Sequence, residues 1–110
     1  MIASPTAPAS LLATLFRGLA DPARLSCLLA LRNGPLTVGE IVAATGLSQP
    51  NVSKHLACLR DCRLVDSERD GRFVHYRLSS PDVCEVLCAA ETVLAEVGEA
   101  VAACPNYQDR

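Results

Sequence analysis

No run of 18 apolar residues free of charge occurs in this chain, so nothing in it reads as a membrane span. The opening MIASPTAPAS has no positively charged start and no long apolar stretch, which is unlike a signal peptide. The cytoplasm is the expected compartment. Positive charge is not in excess either. The net charge is −2, so the chain as a whole is no basic coat for nucleic acid. It has no glycine-rich phosphate loop, no nucleophile–base constellation and no acid pair placed for a cleft. Those absences argue against an enzyme acting on a small organic substrate. Repeats and low-complexity segments are missing too. Histidine is scarce, with only His55 and His75.

What remains fits one small domain of 110 residues, half of them apolar. A chain this short gains much from dimerisation. Charge is unevenly spread. Six of the ten cationic residues lie between Lys54 and Arg77, whereas the last 29 residues hold six acids and only Arg110 as a base. Any phosphate-facing surface therefore belongs to the middle of the chain. The six cysteines would suggest disulfides in a secreted protein. Strong helical periodicity and short loops are unlike a disulfide scaffold, so reduced thiols that bind metal or sense redox state fit better.

The stretch SQPNVSKHLACLRDCRLV, Ser48 to Val65, organises the rest. Ser48 is a good N-cap for a helix ending near Cys62. Val52, His55, Leu56 and Leu59 recur at spacings of three and four and face a core. Gln49, Asn51, Ser53, Lys54 and Arg60 remain for phosphates and base edges. Cys58 and Cys62, four apart, stand about one turn from each other on one side, close enough to share a soft metal ion. Buried packing is the competing reading of these two thiols. Cys27, inside an apolar run, reads as core, and His55 as a structural histidine.

In chain order, residues 1–8 are rich in Pro, Ala and Ser and are expected to fray. A first helix spans 9–19. A second starts at the Asp21 cap with Pro22 behind it, and ends before the Asn33-Gly34-Pro35 turn. Thr37-Val38-Gly39-Glu40 is a capping box opening a short helix that stops at Gly46. Two helices around a short glycine-containing turn make a helix-turn-helix. Residues 63–68 and 73–78 then read as strands joined through Asp70-Gly71, a wing with Arg72 at its tip. Ser80-Pro81-Asp82 opens a last helix to about Ala102, more apolar than such a core requires. The expected fold is mainly α with a small β-hairpin, a winged helix-turn-helix of order ααααββα. The first and last helices would form a homodimer interface. The domain would occupy residues 9–103, and 104–110 would form a tail. Cys84 and Cys88, a second pair four apart, read as packing of the last helix at the interface, with a second or alternative metal site that could include Cys104 as the competing reading. Ser48 and Ser53 would meet phosphates, Gln49 and Asn51 bases, and Lys54 and Arg72 the DNA backbone or a groove.

The segments LADPARLSCLLAL and LTVGEIVAATGLSQPNVSKHLACLRDCRLVDSERDGRFVHYRL resemble the ArsR/SmtB metalloregulators over roughly residues 11–102. Within that family, HLACLRDCRLV is most similar to the cadmium/lead-sensing repressors of actinobacteria. The ELCVCDL-type motif of other sensors is absent from the third helix, which reads VGEIVAAT, and the last helix lacks the Asp/His pattern of zinc, cobalt and nickel sensors. The resemblance implies a homodimeric repressor that holds double-stranded operator DNA without metal and releases it on binding metal. It also implies a third ligand, Cys104 of the other subunit, beside Cys58 and Cys62. A set of three thiolates suits Cd(II) or Pb(II) as inducer better than Zn(II), with arsenite as a further possibility. The alternative is a thiol redox- or arsenite-responsive repressor using the same thiols or Cys84 and Cys88.

Overall fold

Asp21 and Pro22 start a helix as expected, and the local reason is visible. The Asp21 carboxylate accepts the backbone N–H of Arg24 at 2.9 Å, and Pro22 occupies the first helical position. The computed structural model describes residues 8–107. The fraying expected for residues 1–8 and the end of the tail, residues 108–110, lie outside that range apart from Pro8. Helix α1 covers Ala9–Leu19, α2 Pro22–Ala30, strand β1 Leu36–Thr37, α3 Val38–Thr45 and α4 Gln49–Asp61. Strands β2, Val65–Asp70, and β3, Phe73–Leu78, precede the long helix α5, Pro81–Ala103. Single 3-10 turns follow α2 and α5. This is the winged helix-turn-helix expected, with one added strand. No helix among the described residues is long and apolar enough to cross a membrane.

The sheet is three-stranded and antiparallel, in the order β1-β3-β2. Asp70 pairs with Phe73, so the hairpin loop is only Gly71-Arg72. Gly71 has φ 63°, the left-handed geometry that a two-residue hairpin turn requires at its first position. The expected hairpin therefore forms, but β2 is shifted two residues later than the sequence pattern indicated.

That shift has a cause at the end of α4. Arg63, expected to begin the strand, has φ 63° and is the sole non-glycine residue with positive φ among those described. Its N–H donates to Arg60 O at 3.0 Å, and the next N–H, of Leu64, donates to Leu59 O at 3.0 Å. These two bonds make a Schellman motif with arginine where glycine is usual. A left-handed L-residue costs about 1–2 kcal/mol. Arg63→Gly is accordingly expected to raise stability by about 1 kcal/mol, which thermal unfolding would read as several degrees.

The core sits under α4. Val52, Leu56 and Leu59 are fully buried with Cys27 and Leu28 of α2, Ile41 of α3 and Val65 of β2. Cys27 is core, as its apolar neighbours implied. In contrast, α1 buries none of its residues and α5 only Leu87. Leu11, Leu12, Leu15 and Phe16 of α1 and Val86, Val93, Leu94, Val97 and Val101 of α5 are all exposed in the single chain.

Candidate functional site

Helix α4 presents four sides, and its neighbours settle what each can do. One side is the buried stripe. The outward side carries Pro50, Lys54, Ala57 and Asp61, all exposed. Gln49, Ser53 and Arg60 flank it toward the wing, where Arg60 Nη1 donates to Ser67 Oγ at 3.0 Å. Asn51, His55, Cys58 and Cys62 line the other flank, spaced four, three and four. The sequence reading had grouped Asn51 with Gln49, Ser53, Lys54 and Arg60. The structure separates them, because Asn51 is half-buried on the flank toward α2. Ser48 caps the helix, its Oγ accepting Asn51 N–H at 3.3 Å, and its own O–H stays available to a phosphate. Arg72 is exposed at the wing tip.

The flank toward α2 is held by two side-chain contacts. His55 Nε2 lies 3.8 Å from Asp21 Oδ2, with the imidazole only 12% exposed. This matches the structural role expected for His55. One turn on, Arg24 Nη1 donates to Cys58 Sγ at 3.3 Å. Arg24 Nε is buried and has no hydrogen-bond partner among the described residues. Arg24 thus bridges α2 and α4, with the Cys58 sulfur as an acceptor of its guanidinium. Sequence reasoning passed over Arg24, whose contact spans 34 positions.

The backbone bond from Arg24 is also the main reason that the Asp21 carboxyl sits below its ordinary value, with smaller help from the nearby charges of His55, Arg24 and Lys54. A carboxyl lowered by folding stabilises the fold above its unfolded pKa and loses that effect as pH falls through the lower folded value. We therefore expect the thermal stability of the protein to exceed that of Asp21→Asn at neutral pH. Melting temperatures measured down through the acid range should converge below the usual 3.8.

Cys58 is half-buried and Cys62 exposed. Cys62 opens onto an apolar groove of about 410 Å³ between α1 and the end of α4, lined by Leu11, Leu12, Leu15 and Leu64. Cys104 caps the far end of α5 and is half-buried. Among the described residues, no three His, Cys, Asp or Glu side chains gather to hold a metal ion within one chain. The local donor set is thus two thiols one turn apart, Cys62 beside the groove, and a soft ion that takes three ligands needs one more from elsewhere.

Cys84 and Cys88 are not where the sequence reading put them. They stand with Glu91 on the side of α5 opposite Val86, Val93 and Val97. Cys84 borders a cleft with Arg32, Arg77 and Leu78, and Glu91 is ion-paired with Arg32. The pair therefore lies away from the exposed apolar stripe.

Residues 21–67, from the α2 cap into β2, match the family model described as bacterial regulatory protein, arsR family. A probable mercury resistance operon repressor of Streptomyces lividans is 40% identical over 92 residues, which is 84% of this chain and 74% of that protein. The chain belongs to the arsR family of bacterial regulatory proteins. Another ArsR-family relative is the HTH-type transcriptional regulator CmtR of Mycobacterium tuberculosis, 45% identical over 71% of this chain and 66% of its own length. Among solved structures, the homodimeric winged helix-turn-helix domain of Mb0332 from Mycobacterium bovis superposes with a TM-score of 0.74 at 30% identity, over 91% of this chain and 95% of that one. As a member of the ArsR family the chain is a regulator and not an enzyme.

Proposed function

We propose that this chain is a metal-responsive repressor that holds operator DNA as a metal-free homodimer and lets go when a soft thiophilic ion, Cd(II) or Pb(II), binds. One observation carries the reading. Cys58 and Cys62 occupy one flank of the same helix whose outward side carries Lys54 and whose wing-side flank carries Gln49 and Ser53. The repressor named among the relatives supports the regulatory half. The thiol-only donor set supports the metal half.

Two α4 helices of a dimer enter successive major grooves. Gln49 reaches base edges, Ser48, Ser53 and Lys54 hold phosphates, and Arg72 reaches the backbone or minor groove beside the wing, while Asn51, on the flank toward α2, stands behind the reading face. The exposed stripes of α1 and α5 cover one another across the dimer axis. In the proposed dimer the partner's C-terminal tail reaches the groove onto which Cys62 opens, and that groove is bordered by α1. Cys104 of the partner completes a set of three thiolates with Cys58 and Cys62.

Asn51 shares its flank with the two ligands, two turns from Cys58. A pull on Cys58 and Cys62 toward the partner loads the α2–α4 contacts at Arg24 and Asp21 and tilts the reading surface. A hundredfold drop in operator affinity corresponds to about 2.7 kcal/mol of coupling, and DNA must weaken metal binding by the same factor.

The test is fluorescence anisotropy on duplexes selected from a random pool, with and without Cd(II). Tight metal-free binding that weakens about a hundredfold with Cd(II) is expected. Equal affinities would refute metal-driven release. In the same assay, Lys54→Ala is expected to weaken binding across all sequences and flatten the salt dependence, whereas Gln49→Ala costs about 1–3 kcal/mol and relaxes choice at one base position.

A further inference from the structure

The thiols of Cys84 and Cys88 are left without a part in the reading above, and their surroundings are specific. Both lie on one side of α5, four residues apart, where Cβ atoms stand about 5–6 Å from each other. Cys88 is exposed and Cys84 is half-buried against the 3-10 turn after α2. Burial first, and the neighbouring Cys88 thiol second, push the Cys84 thiol above its ordinary value. Arg32 brings positive charge to the pair, and its other contact is Glu91, one turn further along the same side of α5. The apolar stripe of α5 is on the opposite side, so a dimer formed through that stripe leaves both sulfurs accessible.

No third His, Cys, Asp or Glu joins them to make a metal-holding group among the described residues. Ions that need three or four ligands are therefore poorly served. An ion satisfied by two sulfurs is served well. Metal–sulfur bonds of about 2.3 Å, the zinc–thiolate length, join sulfurs about 4.6 Å apart, within reach of two side chains one turn apart. We propose that Cys84 and Cys88 form a second thiol site, off the dimer face, which clamps one two-coordinate soft cation of the mercuric class. Each thiol gives its proton to solvent as its sulfur bonds the metal, so two S–H bonds break, two metal–sulfur bonds form and nothing is oxidised. The site is independent of operator release, because it uses none of Cys58, Cys62 and Cys104.

The experiment uses the full chain carrying Cys58→Ser, Cys62→Ser and Cys104→Ser, with its fold checked by circular dichroism. Hg(II) is added in an excess of glutathione, so that only a chelating pair retains it, and bound metal is counted by native mass spectrometry. One Hg(II) per protomer is expected, falling to none when Cys84→Ser or Cys88→Ser is added, with Cd(II) not retained. The unaltered chain gives a second measurement. There, Cys84→Ser with Cys88→Ser is expected to lower retained Hg(II) by one per protomer. No retention in the triple variant, retention that survives Cys84→Ser, equal retention of Cd(II), or an unchanged count in the second measurement would each overturn the site. None of these outcomes bears on operator release, which is read separately by anisotropy.

Discussion

Cys58→Ser is expected to lower Cd(II) affinity by more than about a hundredfold, since loss of outer partners alone costs 10–100-fold in metal sites. Cys62→Ser and Cys104→Ser should do the same. The three differ in surroundings, which makes the comparison informative. Cys62 is exposed at the groove, whereas Cys58 is half-buried and takes a hydrogen bond from Arg24. Cys104 lies at the far end of α5 and is the ligand proposed to come from the other subunit. Mixed dimers therefore give a distinct signature. A dimer of one Cys104→Ser subunit and one Cys58→Ser subunit keeps one intact set of three thiols and loses the other. It should bind one Cd(II) tightly per dimer, measured by competition with a chelator of known affinity. If Cys104→Ser left Cd(II) affinity unchanged, the third ligand would lie elsewhere. Unchanged affinity in Cys58→Ser would remove the α4 site altogether.

The second large effect is at the dimer face. Val93→Glu together with Val97→Glu puts two carboxylates on the exposed α5 stripe of each subunit, and in the proposed dimer four would meet across the two-fold axis. Like charges facing each other in an interface cost several kcal/mol, and each 1.4 kcal/mol is tenfold in dissociation. Sedimentation is expected to show monomers at concentrations where the unaltered chain is dimeric. Operator affinity should then fall by about 10²–10⁴, because the second half-site is no longer held at high effective concentration. A stable dimer in that variant would place the interface on some other surface.

Most of the helices were legible because their signals are local. Pro22 behind Asp21, the Thr37/Glu40 capping box and the Gly46 stop each lie within one turn of the boundary they set. The capping box forms with both its bonds, and Gly46 takes φ 76°. The apolar surplus on α1 and α5 was legible for the same reason, as periodicity. Features set by distant partners were not. Strand β1 is two residues long and exists only because Leu36 and Thr37 pair with Tyr76 and His75. Arg63 gave no glycine to mark the left-handed turn, so the strand was placed too early. The three usable sides of α4 could be counted from spacing, but only α2 and the wing decide which side each residue faces. The position of Cys84 and Cys88 depends in the same way on Arg32, far away in sequence.

Thr37 has a consequence of its own. It ends β1, pairs with His75 of β3, and its hydroxyl accepts the Glu40 N–H that starts α3. One residue thus belongs to the wing and to the helix-turn-helix at once, with no linker between. The hairpin cannot peel away without uncapping α3, and α3 cannot fray at its start without loosening the sheet. In amide-exchange terms the two form a single opening unit, so that wing and α3 keep one fixed angle while α1 and α5, thinly packed in the lone chain, open on their own.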